Sequence, residues 1–219
     1  MKIIDLTHEI HTGMMVYPGD PEITLEEMAT HEADGCHVDY LNCGSHTGTH
    51  IDAPYHFVPE GKRITDYPVS RFIGDGVICD LRHKKAGEAI TADDIFPCLK
   101  EFRQGDFLLL QTGWCEKFGT EEYYDHPYIT AEAAQAMVDS GVSIVAVDFL
   151  NVDPTLHEQW DTHPIFLGNE VLIVENIDNS LELDAGRRYC LCFIPMKLGG
   201  SDGAPVRAFA IDNTVENDE

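Results

Sequence analysis

The segment Thr130-Ala131-Glu132-Ala133-Ala134-Gln135-Ala136-Met137-Val138-Asp139-Ser140-Gly141-Val142-Ser143-Ile144-Val145-Ala146-Val147-Asp148-Phe149 holds a helix pattern and a strand pattern back to back. Thr130 offers a hydroxyl to cap free backbone N–H groups, Glu132 puts an acid in the first turn, and Gly141 supplies a residue that ends a helix at little steric cost. These signals predict a helix over 131–140. The run that follows, Ile144 to Phe149, is apolar and interrupted only by Asp148 near its end, which predicts a buried strand.

Outward from this pair, short runs rich in Val, Ile, Leu and aromatics recur between Gly, Pro and Asp. They cover Ile3 to Ile10, Ile23 to Thr30, Val38 to Asn42, Val77 to Leu81, Phe107 to Thr112, Leu172 to Glu175, Tyr189 to Pro195 and Ala208 to Ile211. A second helix is expected over Ala92 to Phe102, capped by Thr91. Strands outnumber helices and some follow them, so the class is α/β with a mixed sheet, in one domain. No repeat, low-complexity segment or linker divides residues 1–219, and the stretch from about residue 213, ending Glu216-Asn217-Asp218-Glu219, is expected to fray. Several strands end on polar residues, namely Asp148, Glu175 and the Thr112-Gly113-Trp114 run, and strand ends are where α/β folds place their chemistry.

Bulk composition excludes several functions. Of 219 residues 43% are hydrophobic, enough for a core and too many for a disordered chain. The charge of -25, from 14 basic against 39 acidic residues, repels nucleic acid and anionic membranes and favours solubility. The longest apolar stretch, Val142 to Leu150, is broken by Asp148 and too short to cross a bilayer, and Asp5 interrupts the opening residues before an export signal forms. A cytoplasmic protein without a membrane partner is expected. The seven cysteines form no Cys-x-x-Cys pair, so reduced, buried thiols are expected; Cys190 and Cys192 alternate with apolar residues on a strand.

The densest chemistry lies in His46-Thr47-Gly48-Thr49-His50-Ile51-Asp52-Ala53-Pro54-Tyr55-His56. Three imidazoles and a carboxylate suit Zn, Mn or Fe(II) better than Ca or Mg. On a straight strand His46 and His50 would stand roughly 13 Å apart, beyond one ion's reach. The chain must therefore curl between them, as a helical turn or as a bend at Gly48. Pro54 then draws Ala53 into an extended conformation on the way to His56. A His/Asp set without thiolates points to an open coordination position for water, not a closed structural site. Farther on stand His163, in the loop Asp161-Thr162-His163-Pro164, and Glu175 at a strand end.

The order His-x-Gly-Thr-His-x-Asp-x-Pro-x-His from His46 to His56 resembles the cyclase-like metal-dependent hydrolases, which include bacterial kynurenine formamidase and isatin hydrolase. Supporting matches run along nearly the whole chain: Tyr17-Pro18-Gly19-Asp20-Pro21, Leu110-Gln111-Thr112-Gly113-Trp114, Val147-Asp148 through Val152-Asp153-Pro154, Asp161-Thr162-His163-Pro164, Val174-Glu175-Asn176 and Gly203-Ala204-Pro205-Val206-Arg207-Ala208. The resemblance implies a swivelling β/β/α fold, a homo-oligomer (dimer or tetramer) and one or two divalent ions per chain, zinc or manganese. It implies His46, His50 and Asp52 on one ion and Asp52, His163 and Glu175 on a second, with Asp52 shared. It makes His56 the general acid/base and Tyr17 a substrate contact. The implied reaction is hydrolysis of a small aryl-formamide such as N-formylkynurenine, or opening of a cyclic amide of the isatin kind. Tyr17 stands where Trp is frequent and Asn151 where Ser is common, differences that bear on substrate. Trp114 and Trp160 are further candidates to hold an aryl group.

Two rival readings exist. Gly199-Gly200-Ser201-Asp202-Gly203 matches the Gly-x-Ser-x-Gly of serine hydrolases, but that motif needs a following helix and a later His. Here Ala204-Pro205-Val206-Arg207 reads as extended and no His follows His163. The other is a non-catalytic metal- or ligand-binding protein on the same scaffold, which would have no use for His56.

Overall fold

The strand that carries the chemistry is also the strand that closes the sheet. In the computed structural model, which describes residues 1–156 and 160–212, β1 (Lys2–Asp5) is followed by a hairpin of β2 (Thr24–Ala29) and β3 (Val38–Asn42), with the short helix α1 (His31–Asp34) between them. Then come β4 (His50–Asp52), β5 (Ile73–Asp80), β6 (Ala89–Ile90), α2 (Ala92–Leu99), β7 (Phe107–Gln111) and β8 (Tyr128–Ile129). The chain continues with α3 (Ala131–Ser140), β9 (Ile144–Val147), α4 (Thr162–Gly168), β10 (Leu172–Glu175), β11 (Arg188–Pro195) and β12 (Gly203–Asp212). The main sheet runs β1-β12-β11-β5-β7-β9-β10-β4, and β4 pairs again with β12, so seven strands close into a ring. Strands β5, β7, β9 and β10 are parallel and the others antiparallel, the mixed sheet expected.

The reading of 130–149 holds closely. Thr130 accepts from Ala133 N–H, and Gly141 closes the helix with φ +83°, its N–H on the Met137 and Val138 carbonyls. Alternation then sorts the strands into two cores. Ile51, Ile78, Leu109, Ala146, Val174, Leu191 and Ala204 fill the ring. Cys79, Leu108, Leu110, Val145, Val147 and Ile173 pack under α3 and α4 with Ala134, Met137 and Phe166. His50, Asp52 and Glu175 share the parity of Ile173, so the polar cluster lies on the helix-covered side.

Several expectations change. The helix expected over Ala92 to Phe102 ends at Leu99. The strand expected over Ile3 to Ile10 covers only Lys2–Asp5, followed by an isolated bridge from Thr7 to Ile177. The expected loop at Asp161-Thr162-His163-Pro164 opens a helix, α4. Its free N–H groups are capped from upstream: Asp153 Oδ1 accepts from Asp161 N–H (3.1 Å) and Thr162 N–H (2.8 Å), and Oδ2 from His163 N–H (3.1 Å). Pro164 is tolerated in that first turn. The expectation of reduced thiols fails for one pair: α2 packs across β5, bringing the Cα atoms of Cys79 and Cys98 to 5.4 Å, and the two form a disulfide. The five other cysteines are free. No helix among the described residues is long and apolar enough to cross a membrane. The tail expected to fray, 213–219, lies outside the described residues.

Closing a loop with a sequence separation of 19 residues contributes about 3 kcal/mol through the unfolded chain. Cys98→Ser is therefore expected to lower the melting temperature by roughly 6–12 °C relative to oxidised protein. A melt unchanged by that substitution and by reductant would show that the bridge carries no stability.

Candidate active site

The bend that the histidine spacing demands falls at Gly48, whose φ is +58°. Beyond it the chain enters β4, which is clamped on both edges. His50 lies opposite Glu175 of β10 and Pro205 of β12; Asp52 lies opposite Ile173 and Gly203. A slip of one residue would turn His50 and Asp52 into the ring and Ile51 out of it. Pro54 opens a single 3-10 turn that ends on His56.

Six side chains named from the sequence converge here. His46 Nδ1 lies 2.7 Å and His50 Nε2 3.4 Å from Asp52 Oδ1, and His163 Nε2 lies 3.6 Å from Asp52 Oδ2. Glu175 spans the same space, Oε2 at 3.5 Å from His50 Nε2 and Oε1 at 3.5 Å from His163 Nε2. His56 stacks on His46 with ring centroids 4.1 Å apart. Two groups bring potential ligand atoms within 4.8 Å of one another: His46, Asp52 and His56, and His50, Asp52 and Glu175. Both groupings differ from expectation: the first holds His56 where His50 was expected, and the second holds His50 where His163 was expected.

The donor set fits a divalent cation. Asp52 is fully buried, and neither of its oxygens receives a hydrogen bond. An unsatisfied buried carboxylate is costly, and a cation removes the cost. Two atoms bound about 2.1 Å from one ion at a tetrahedral angle stand about 3.4 Å apart, close to the separations around Asp52. Each imidazole also has its second nitrogen occupied: His50 Nδ1 donates to Gly48 O (2.8 Å), His163 Nδ1 to Asp153 Oδ2 (2.6 Å) and His46 Nε2 to Asp202 Oδ2 (3.0 Å). Such outer partners fix the ring and leave one nitrogen for an ion. Burial opposes charge on His46, but Asp52 and Asp202 outweigh it and push its pKa up to about 10. Burial likewise opposes charge on His163, and Asp153, Asp52 and Glu175 carry it well above the usual imidazole range. Burial also works against ionisation of Asp52, yet the field of His46 and the contacts of His163 hold its carboxyl well below the ordinary value. The site is built to stabilise positive charge.

A cavity of about 250 Å³ opens onto this cluster, lined among others by His46, His50, His56, His163 and Glu175. Its walls are aromatic: the rings of Tyr17 and Phe57 lie 5.7 and 5.8 Å from Trp160, and Phe57 stacks on His163 at 4.7 Å. Burial, then Asp20, Glu175 and Asp153, raise the pKa of Tyr17 and keep the phenol protonated. Asn151 also lines the cavity, its amide oxygen accepting from Asp153 N–H at 3.1 Å. Trp114 does not reach the cavity: it is buried and donates to Tyr123 O. The Thr112-Gly113 strand end is tied to the buried Asp148, which also accepts from Ser180 Oγ (2.6 Å), so this polar strand end is structural.

Sequence reading missed two residues. Phe57, next to His56, forms a wall. Asp202 lies 146 positions beyond His56 and accepts from its Nδ1 at 3.2 Å. Asp202 belongs to the Gly-x-Ser-x-Gly match, whose familiar meaning points to Ser201. That serine donates to Gly203 O at 2.7 Å, and β12 follows it where a nucleophile elbow needs a helix.

Protein stripped with a chelator should gain about 4 kcal/mol of stability when a divalent ion is restored at roughly 1,000 times its Kd. Asp52→Asn should abolish that gain in thermal melts. An equal gain in the variant would place the cation elsewhere.

The profile of the putative cyclase family matches residues 4–154. Kynurenine formamidase of Bacillus thuringiensis (strain Al Hakam) is 30% identical over 212 residues, which cover 94% of this chain and 95% of that protein. That of Bacillus anthracis is 29% identical over 214 residues, covering 94% and 96%. A solved potential metal-dependent hydrolase with cyclase activity superposes with a TM-score of 0.80 at 29% identity, covering 95% of this chain and 96% of its own. Isatin hydrolase A from Labrenzia aggregata, bound to benzyl benzoate, superposes at 0.86 with 21% identity, covering 95% and 93%, and shows the shared fold. A family match over more than half the residues, laid on a cation-ready cluster, means that this chain belongs to the cyclase family of metal-dependent hydrolases.

Proposed function

We propose that the chain hydrolyses the C–N bond of a small aryl-formamide, with N-formylkynurenine, giving kynurenine and formate, as the leading substrate. The observation that supports this best is the placement of His56. Its ring borders the same cavity as Asp52's neighbours His46, His50 and His163, beneath the aromatic walls. A storage or structural cation site has no need of a partly exposed imidazole there.

His46, His50, Asp52, His163 and Glu175 are the proposed ligands. Asp52 faces the His46 and His50 nitrogens with Oδ1 and the His163 nitrogen with Oδ2. That two-sided placement favours two ions sharing Asp52, zinc being preferred and manganese the alternative. An ion bound there supplies Lewis acidity and the means to ionise water near neutral pH. The chain's own groups do the rest. Tyr17, Phe57 and Trp160 hold the aryl ring and exclude water from one side of the carbonyl. His56 takes a proton from the attacking water and returns one to the departing amide nitrogen. Its Nδ1 is directed at Asp202, which leaves Nε2 for that exchange.

A second reading, opening of a cyclic amide of the isatin kind, uses the same groups. A panel containing N-formylkynurenine and isatin, run with metal analysis, separates the two. His56→Ala should retain its metal and lose about 100- to 10,000-fold in kcat, the usual range for a positioned acid/base. Full activity in that variant removes His56 from the reaction. A chelator should stop turnover and a serine-directed inhibitor should not; the reverse result would restore Ser201 as a nucleophile. Bound metal with no turnover of either substrate would favour a binding protein.

A further inference from the structure

We infer that Asp202 is a positioning residue that sets the ring orientation and tautomer of His46 and His56 together through one carboxylate oxygen. The two imidazoles sit side by side, centroids 4.1 Å apart, and both turn a nitrogen toward Asp202 Oδ2: His46 Nε2 at 3.0 Å and His56 Nδ1 at 3.2 Å. A carboxylate oxygen only accepts, so both nitrogens must carry hydrogen. With a cation held between His46 Nδ1 and Asp52, in place of the proton that Nδ1 would otherwise carry, that assignment leaves His46 Nδ1 as a lone pair for the ion and His56 Nε2 as a lone pair for the cavity. The two histidines are thereby assigned opposite tautomers, although they belong to one motif ten residues apart. A free imidazole has no such preference imposed on it.

The carboxylate is itself held. Ser45 Oγ donates to Oδ1 at 3.0 Å. The backbone carbonyl of Asp202 accepts from Ala53 N–H at 2.8 Å, and that of Ser201 from Ile64 N–H at 3.2 Å. The next residue must be glycine: a Cβ on Gly203 would meet His46 Cε1 at 2.8 Å and Ile51 O at 3.0 Å. The Gly-x-Ser-x-Gly match thus has a cause unrelated to a serine nucleophile. Its last glycine admits the His46 ring, and its Asp202 orients it.

This inference concerns the site and not the substrate. Its first readout is ring nitrogen-15 NMR of zinc-loaded protein, which reports tautomers whether or not a substrate is known. In the unmodified protein His46 should appear as the Nε2–H form and His56 as the Nδ1–H form. Asp202→Ala should free His56 to populate both forms, weaken zinc about 10- to 100-fold in chelator competition, and lower kcat on any accepted substrate more than tenfold with KM within about threefold. Asp202→Asn separates geometry from charge. Both rings converge on one oxygen and the hydroxyl of Ser45 meets the other, so an amide oxygen turned to the rings can accept from both while its NH2 faces Ser45. The asparagine variant should keep both tautomers and most of the zinc affinity, and it remains informative if the alanine variant does not fold. Unchanged His56 tautomer in Asp202→Ala, or scrambled tautomers in a folded Asp202→Asn, would overturn the assignment.

Discussion

Everything at this site follows from one buried carboxylate. Asp52 sits at the centre of the fold with no hydrogen bond to either oxygen and three imidazole nitrogens around it. It is fully buried, and no backbone N–H reaches it. Folding can tolerate such a group only if positive charge comes with it, as protons on the histidines or as a cation. The outer carboxylates make sense in that light: Asp153 behind His163 and Asp202 behind His46 reinforce the rings that face Asp52.

The second constraint is the three-residue strand that carries Asp52. Because β4 pairs on both edges, one register decision aligns Glu175 with His50 and places Asp202 beside His46. Residues from three distant parts of the chain are brought together by backbone ladders, not by side-chain attraction. The same pairing completes the ring of strands, so the site and the closure of the fold are one event. Sheet geometry here serves chemistry directly: Ile51 between the two ligand candidates anchors the strand in the ring core, alternating with His50 and Asp52 as period two requires.

What could be read in advance divides along lines of distance. Local signals served well: Thr130 and Gly141 bound the helix at the residues expected, and the spacing of His46 and His50 called for the bend that Gly48 makes. Helix α4 escaped notice because its cap, Asp153, lies outside the segment and reaches it only through the fold. Cys79 and Cys98 gave no spacing signal, since a helix packed on a strand, not a sequence pattern, makes them neighbours. Asp202 was hidden for a third reason: it sat in a short motif whose familiar meaning belongs to another residue. Trp114 and Trp160 looked equivalent as aromatics. One fills the core beside Tyr123 and the other walls the cavity, a difference of burial that no composition reveals.

The cavity wall also bears on how a substrate enters. Among the described residues lining it are two acids, Asp20 and Glu175, and no lysine or arginine. Positive charge inside comes instead from His46 and His163, while the protein's overall charge of -25 opposes an anionic substrate as it approaches. The rings of Tyr17, Phe57 and Trp160 suit aromatic groups, and the polar floor at His46, His56 and Glu175 suits an amide. A substrate of the proposed class would accordingly turn its formamide toward that floor and its ring toward the aromatic wall. That floor is where the His56 imidazole and the candidate cation ligands His46, His50, His163 and Glu175 stand together.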